Sequence, residues 1–195
     1  MVQTSVQSSS LAIDSLQIHP HRTWEQFKLL QKGLEHSAGI RLFFFQGTIE
    51  VLMPGSYHEL FKKIIALLIE TFLIDRQVEF LPTGSMDRES EGMAAAQPDE
   101  SYEIGDFKLV IEVIVSSGSI SKLELYQTLN IDEVWFWKDG VLSLYHLNQG
   151  EYQRVDRSGI PALASLDIPV LTRCILLGET SRLRAIEQLR VSHAM

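Results

Sequence analysis

Cysteine is almost missing from this 195-residue chain, in which Cys174 stands alone. A single cysteine excludes an intramolecular disulfide and any thiolate-rich metal site. Long apolar runs are missing too. The longest, residues 64–74, is interrupted by Glu70 and Thr71 and falls well short of the roughly 20 residues that a bilayer-spanning helix needs. The opening residues, 1–16, are rich in Ser and Gln and lack a basic segment followed by an apolar core, so they do not read as a signal peptide. These absences predict a cytoplasmic protein with no membrane partner. Positive charge is scarce, with 17 Lys and Arg against 25 Asp and Glu and a net charge of −8. Free-standing nucleic-acid binders are usually basic, so strong non-specific DNA affinity is disfavoured. A nuclease is not excluded, because metal-binding carboxylates are themselves acidic and a local basic rim suffices.

Several chemical signatures are absent as well. The six histidines include no His-x-x-x-His pair, and the chain has no Gly-x-Ser-x-Gly and no Gly-x-x-x-x-Gly-Lys-Ser/Thr. Zinc hydrolases, serine hydrolases and nucleoside-triphosphate binding are therefore disfavoured. No internal repeat or low-complexity segment appears. What remains is 45% hydrophobic with a mean hydropathy of +0.04, the balance of one soluble domain with a real core.

That domain is organised around residues 97–115. Leu109-Val110-Ile111-Glu112-Val113-Ile114-Val115 is an apolar, β-branched run with one acid inside it. Such a run predicts a strand buried on both faces, where a carboxylate must be paired or bound to a metal. Asp99 lies just upstream in Pro98-Asp99. Two carboxylates so placed can hold a divalent cation through hard oxygens. The bland alternatives are a Glu112–Lys108 pair along the strand and an Asp99 that bonds to its own turn.

The rest of the chain supports this centre. Residues 1–20 read as a mobile tail and 21–195 as a single domain. Thr23 caps a helix over 24–32 that Gly33 ends. Residues 40–45 and 48–53 form a hairpin turning at Gln46-Gly47. Ser56 caps a long amphipathic helix over 56–75. Residues 78–81 form a short strand closed by Pro82, and 83–96 read as a long mobile loop. After the central strand comes a helix over 120–129, with Ser121 and Glu124 in capping-box spacing. Residues 133–137, 141–147 and 151–155 form a meander. Residues 161–177 pack over the core, and 178–191 form a terminal helix. The apolar C-terminal third leaves room for a homodimer interface.

Lys122 sits early in its helix, against the usual preference of lysine for the last turn. A lysine there is either solvated or aimed at the carboxylates. Tyr126, four residues on, shares its face and reads as a packing residue. Glu59 and Lys63 read as a surface ion pair.

Pro98-Asp99-Glu100-Ser101-Tyr102, Leu109-Val110-Ile111-Glu112-Val113, the segment from Ser117 through Lys122 to Tyr126, and Glu133-Val134-Trp135-Phe136-Trp137 together resemble one family. It is the bacterial Uma-type restriction endonuclease family, a branch of the PD-(D/E)XK nuclease superfamily. The resemblance covers roughly residues 23–167. It implies an α/β (α+β) restriction-endonuclease-like fold, a mixed central sheet flanked by helices, here with an added antiparallel meander. By the same resemblance, Asp99 and Glu112 match the two motif carboxylates. The strand position that usually holds lysine is Ile114, and Lys122 matches branches in which the lysine has moved to the next helix. Glu59 is the nearest match for an acid on the first core helix. The implied activity is hydrolysis of DNA phosphodiester bonds with Mg²⁺ or Mn²⁺, held by Asp99, Glu112 and the Val113 carbonyl. The rival reading is the same fold kept as an inert nucleic-acid or protein-binding module, favoured by Ile114 and the net charge. A third is a metal hydrolase acting on a small phosphoester.

Overall fold

The computed structural model describes residues 13–115, 118–119 and 121–193. Thr23 Oγ1 accepts from the Gln26 backbone amide and Gln26 Oε1 accepts from the Thr23 amide, so a full capping box starts α1 (Trp24–Gly33). The hairpin β2 (Arg41–Phe45) and β3 (Thr48–Met53) follows. Its two turn residues, Gln46 and Gly47, both have positive φ, the twist that a two-residue hairpin requires. The long helix α2 (Ser56–Asp75) is capped at Gly55, not at Ser56 as the sequence predicts. Gly55 has no side chain to cap with, and its amide donates instead to Asp14 Oδ1, 2.9 Å away.

Asp14 arrives there because residues 15–19 are not a tail. Ser15–His19 forms a strand, β1, antiparallel to β3, with Ser15 opposite Met53. It is an edge strand held by its backbone and largely exposed, so its composition carries no apolar signal. The rest of the predicted tail, residues 1–12, lies outside the described residues.

The predicted loop over 83–96 is a second correction. The short strand β4 (Leu81–Pro82) is followed by a hairpin, β5 (Arg88–Ser90) and β6 (Ala94–Ala96). Alanine is depleted in strands, yet these three are buried. Ala96 and Ala94 lie opposite Phe43 and Phe45 of β2, small residues facing large ones. Strands β1, β3, β2, β6 and β5 thus form one sheet.

The second sheet is mixed. β7 (Glu100–Ile104) turns at Gly105-Asp106 into β8 (Phe107–Ile114). α3 (Lys122–Thr128) then carries the chain to β9 (Glu133–Lys138), which pairs with β8 in parallel. The meander continues through β10 (Val141–Asn148) and β11 (Glu151–Val155), giving the order β11-β10-β9-β8-β7-β4. A 3-10 turn at Pro161–Leu163, α4 (Ile168–Gly178) and α5 (Arg182–His193) close the chain.

The layers follow from side-chain alternation along the strands. Leu109, Ile111 and Val113 of β8, with Trp135 and Trp137 of β9, face α2, α4 and α5. Val110 and Val134 face the other way, onto α3 and onto Phe43, Phe45 and Leu52 of the first sheet. The first sheet's outer face, with Leu42, Phe44, Ile49 and Val51, is covered by Trp24 and Phe27 of α1. This is a mixed α+β architecture with the central strand β8 sandwiched, as its unbroken apolar run requires. Among the described residues, no helix is long and apolar enough to cross a membrane.

The core assignment has a direct test. Leu68 of α2 is fully buried, whereas Leu29 of α1 is 72% exposed. Leu68→Ala is expected to lower the unfolding free energy by about 2–5 kcal/mol in urea titrations. Leu29→Ala should change it by less than about 0.5 kcal/mol.

Candidate active site

The register of β7 against β8 sets the two central carboxylates at one level of the sheet, close enough for the charge of Asp99 to act on Glu112. Glu100 lies opposite Ile111, so Asp99, one residue before β7, reaches the level of Glu112. Both are buried, at 1% and 2% exposure. The Val113 amide donates to Asp99 Oδ2 at 2.8 Å, and His58 Nε2 lies 2.8 Å from the same oxygen. Asp99 Oδ1 is buried and has no hydrogen-bond partner among the described residues.

Glu112 projects to the opposite side of β8 from Val113, toward α3. Tyr126 donates its hydroxyl to Glu112 Oε1, and Lys122 Nζ stands 3.8 Å from that oxygen. Ser121 caps α3, which fixes Lys122 as its first residue and Tyr126 one turn later. The Lys122 ammonium lies over the Phe43 ring, and the side chain is 17% exposed, so it is not in bulk solvent.

Three residues at the site were not singled out from the sequence. His58 of α2 is fully buried between Asp99 and Asp14, with Nδ1 3.1 Å from Asp14 Oδ2. Its spacing to Phe61, Ile65, Leu68 and Phe72 puts it on the buried face of α2, a signal present in the sequence. Glu50 of β3 is also buried and accepts from the Ser119 amide and hydroxyl at 2.5 and 3.2 Å. It is a lone acid in an apolar strand, the signal that Glu112 gave. Asp14 had no such signal. Glu59 goes elsewhere: its carboxylate is 40% exposed and pairs with Arg41 at 3.8 Å and Lys62 at 3.6 Å. The predicted partner Lys63 instead pairs with Glu100 at 3.5 Å. One position along a helix turns the side chain by about 100°, which separates Glu59 from the site that His58 enters.

Burial drives the electrostatics. It pushes the Glu112 carboxyl above the usual carboxylate range; Lys122 pulls it back, and the charge of Asp99 raises it again. Burial pulls the Lys122 ammonium below its usual value, against the opposing charges of Glu112, Glu50 and Asp99. For His58, burial acts to lower the pKa, but the hydrogen bonds and charges of Asp14 and Asp99 together outweigh it and hold the ring at about 10. The Tyr126 phenol is pushed well up by burial and by Glu112, so it remains a donor.

Among the described residues, four carboxylates (Asp14, Glu50, Asp99, Glu112) and two cations (His58, Lys122) converge here. Asp14, Glu50, Glu112, Val113 and Lys122 line a cavity of about 20 Å³, room for one water-sized occupant. Among the described residues, no three His, Cys, Asp or Glu side chains form a ready ligand shell. Glu112 lines this cavity and Asp99 does not; the oxygens of both are of the hard kind that would suit Mg²⁺, an ion that keeps several waters and needs only one or two carboxylates.

A family model described as "Uma2: Putative restriction endonuclease" matches residues 24–174. No curated protein matches the chain.

The Lys122–Glu112 contact predicts strong coupling. In a double-mutant cycle of Lys122→Met and Glu112→Gln, each single change leaves a buried partner uncompensated. The double variant is expected to be more stable than the sum of the singles implies, by about 0.5–3 kcal/mol. Additive losses in chemical denaturation would mean that the two groups do not interact.

Proposed function

The chain belongs to the Uma2 family of restriction-endonuclease-type proteins, and from that membership we propose that it is a metal-dependent endonuclease hydrolysing phosphodiester bonds in DNA. The observation that carries the reading is the buried Asp99–Glu112 pair, with Asp99 Oδ1 unpartnered and a lysine 3.8 Å from Glu112. Asp99 Oδ1, Glu112 and the Val113 carbonyl would hold Mg²⁺ or Mn²⁺. Such an ion, when bound, polarises the phosphoryl group and lowers the pKa of a water.

The chain's own groups do the rest. Tyr126 donates to Glu112 and so fixes the rotation of its carboxylate. Lys122 orients the attacking water or stabilises charge on the phosphoryl oxygens. It replaces the strand lysine of the superfamily, whose position Ile114 fills, by reaching the same carboxylate from α3. Phe43 beneath the ammonium and Glu112 beside it hold Lys122 in place.

The second reading is an inert nuclease-fold module, favoured by Ile114 and by the net charge of −8. Plasmid DNA with Mg²⁺ and with Mn²⁺ separates the two. Cleavage by the wild type and none by Glu112→Ala is the expected result. Lys122→Ala should keep metal affinity within a few-fold but slow cleavage by about 10²-fold or more, the scale of losing one oriented charge stabiliser. Cleavage at the wild-type rate by Lys122→Ala removes it from the mechanism, and no cleavage by the wild type with either metal favours the inert module.

A further inference from the structure

Asp14, His58 and Asp99 form a continuous line of contacts across three elements. Asp14 Oδ1 accepts from the Gly55 amide at the start of α2, and its Oδ2 lies 3.1 Å from His58 Nδ1. The other ring nitrogen, Nε2, lies 2.8 Å from Asp99 Oδ2. The side chains of Asp14, His58 and Asp99 are at most 2% exposed. His58 occupies a position whose neighbours on the same helix face are Phe61, Ile65 and Leu68. An aliphatic residue there would cost nothing in desolvation, whereas three buried polar groups are expensive. The arrangement therefore calls for a task beyond packing.

The two oxygens of Asp99 show what the task is. Oδ2 is engaged twice, by the Val113 amide and by His58, while Oδ1 has no hydrogen-bond partner among the described residues. One amide alone leaves a carboxylate able to rotate about its terminal torsion, which is broad for Asp. A second contact from a different direction removes that freedom. His58 Nε2 stands 2.8 Å from Oδ2 without the alignment of a linear hydrogen bond, so the contact holds the carboxylate by close approach.

We propose that His58, backed by Asp14, is a positioning residue that locks Asp99 so that Oδ1 alone is presented to the cation. The inference rests on the metal-site reading given under Proposed function. It makes β1 part of the site, because Asp14 is held beside α2 by the pairing of Ser15 with Met53. Outer contacts of this kind to ligating groups are worth about 10–100-fold in metal affinity.

Two substitutions at one position separate positioning from packing. The glutamine amide nitrogen reaches the place of histidine Nε2, toward Asp99. The asparagine amide nitrogen reaches only the place of Nδ1, toward Asp14. Mn²⁺ and Mg²⁺ binding is measured by calorimetry on the full chain, and thermal unfolding is recorded on the same samples without metal. The wild type is expected to bind, and Asp99→Asn to abolish binding. His58→Asn should weaken affinity by about 10-fold or more, and His58→Gln should restore it to within a few-fold, with similar melting temperatures for the two. Asp14→Asn keeps an acceptor for Gly55 and should fall between them. Equal affinities for His58→Asn and His58→Gln overturn the positioning role while leaving the metal site standing. Absence of binding by the wild type overturns both. If His58→Asn does not fold, Asp14→Asn decides, and an affinity equal to the wild type's overturns the proposal.

Discussion

A carboxylate in the interior of a strand covered on both faces is the constraint on which this structure turns. Removing such a charge from water costs several kcal/mol even after relaxation. Glu112 meets that cost with a phenol from one turn of α3 and an ammonium from the turn before it. Asp99 meets it with the amide of Val113 and the ring of His58. Each compensating group then needs support of its own. His58 rests on Asp14, and Lys122 rests on Phe43 with Glu50 in its field. The polar centre spreads outward until it has drawn in both sheets and two helices.

This spread explains why the two sheets meet where they do. Phe43 and Glu50 are directly opposite each other in the β2–β3 ladder, and both point from the first sheet into the space above β8. Apolar contacts through Phe45, Leu52, Val110 and Val134 seal the remainder of that interface. The same inner face therefore carries packing at one end and chemistry at the other, and strand alternation alone sorts residues between them.

Much of this was legible in the sequence because local rules and tertiary environment agreed. The apolar run of β8 announces a strand covered on both sides, and the lone Glu112 within it marks a buried charge that needs partners. The caps of α1 and α3 and the hairpin turns fall where their residue types require. Where the reading failed, tertiary context had overridden composition. β1 is an edge strand held by backbone pairing, and the alanines of β6 are strand residues only because Phe43 and Phe45 lie across from them. His58 is legible in its spacing, on the face of α2 that carries Phe61, Ile65 and Leu68. Glu50 was as visible as Glu112 and was passed over. Asp14 was illegible, since nothing local distinguishes it from the polar residues around it.

The site draws on positions 14, 50, 58, 99, 112 and 122, and this spread in sequence has a consequence in time. Contacts between residues so far apart form only after long loops have closed, late in the search for the native state. A chain emerging from the ribosome as far as α2 carries His58, Glu50 and Asp14 but neither carboxylate of the central pair. One that ends with β8 still lacks Lys122. No hairpin, helix or local folding unit holds enough of the constellation to assemble the polar centre, so the centre forms only when distant segments come together.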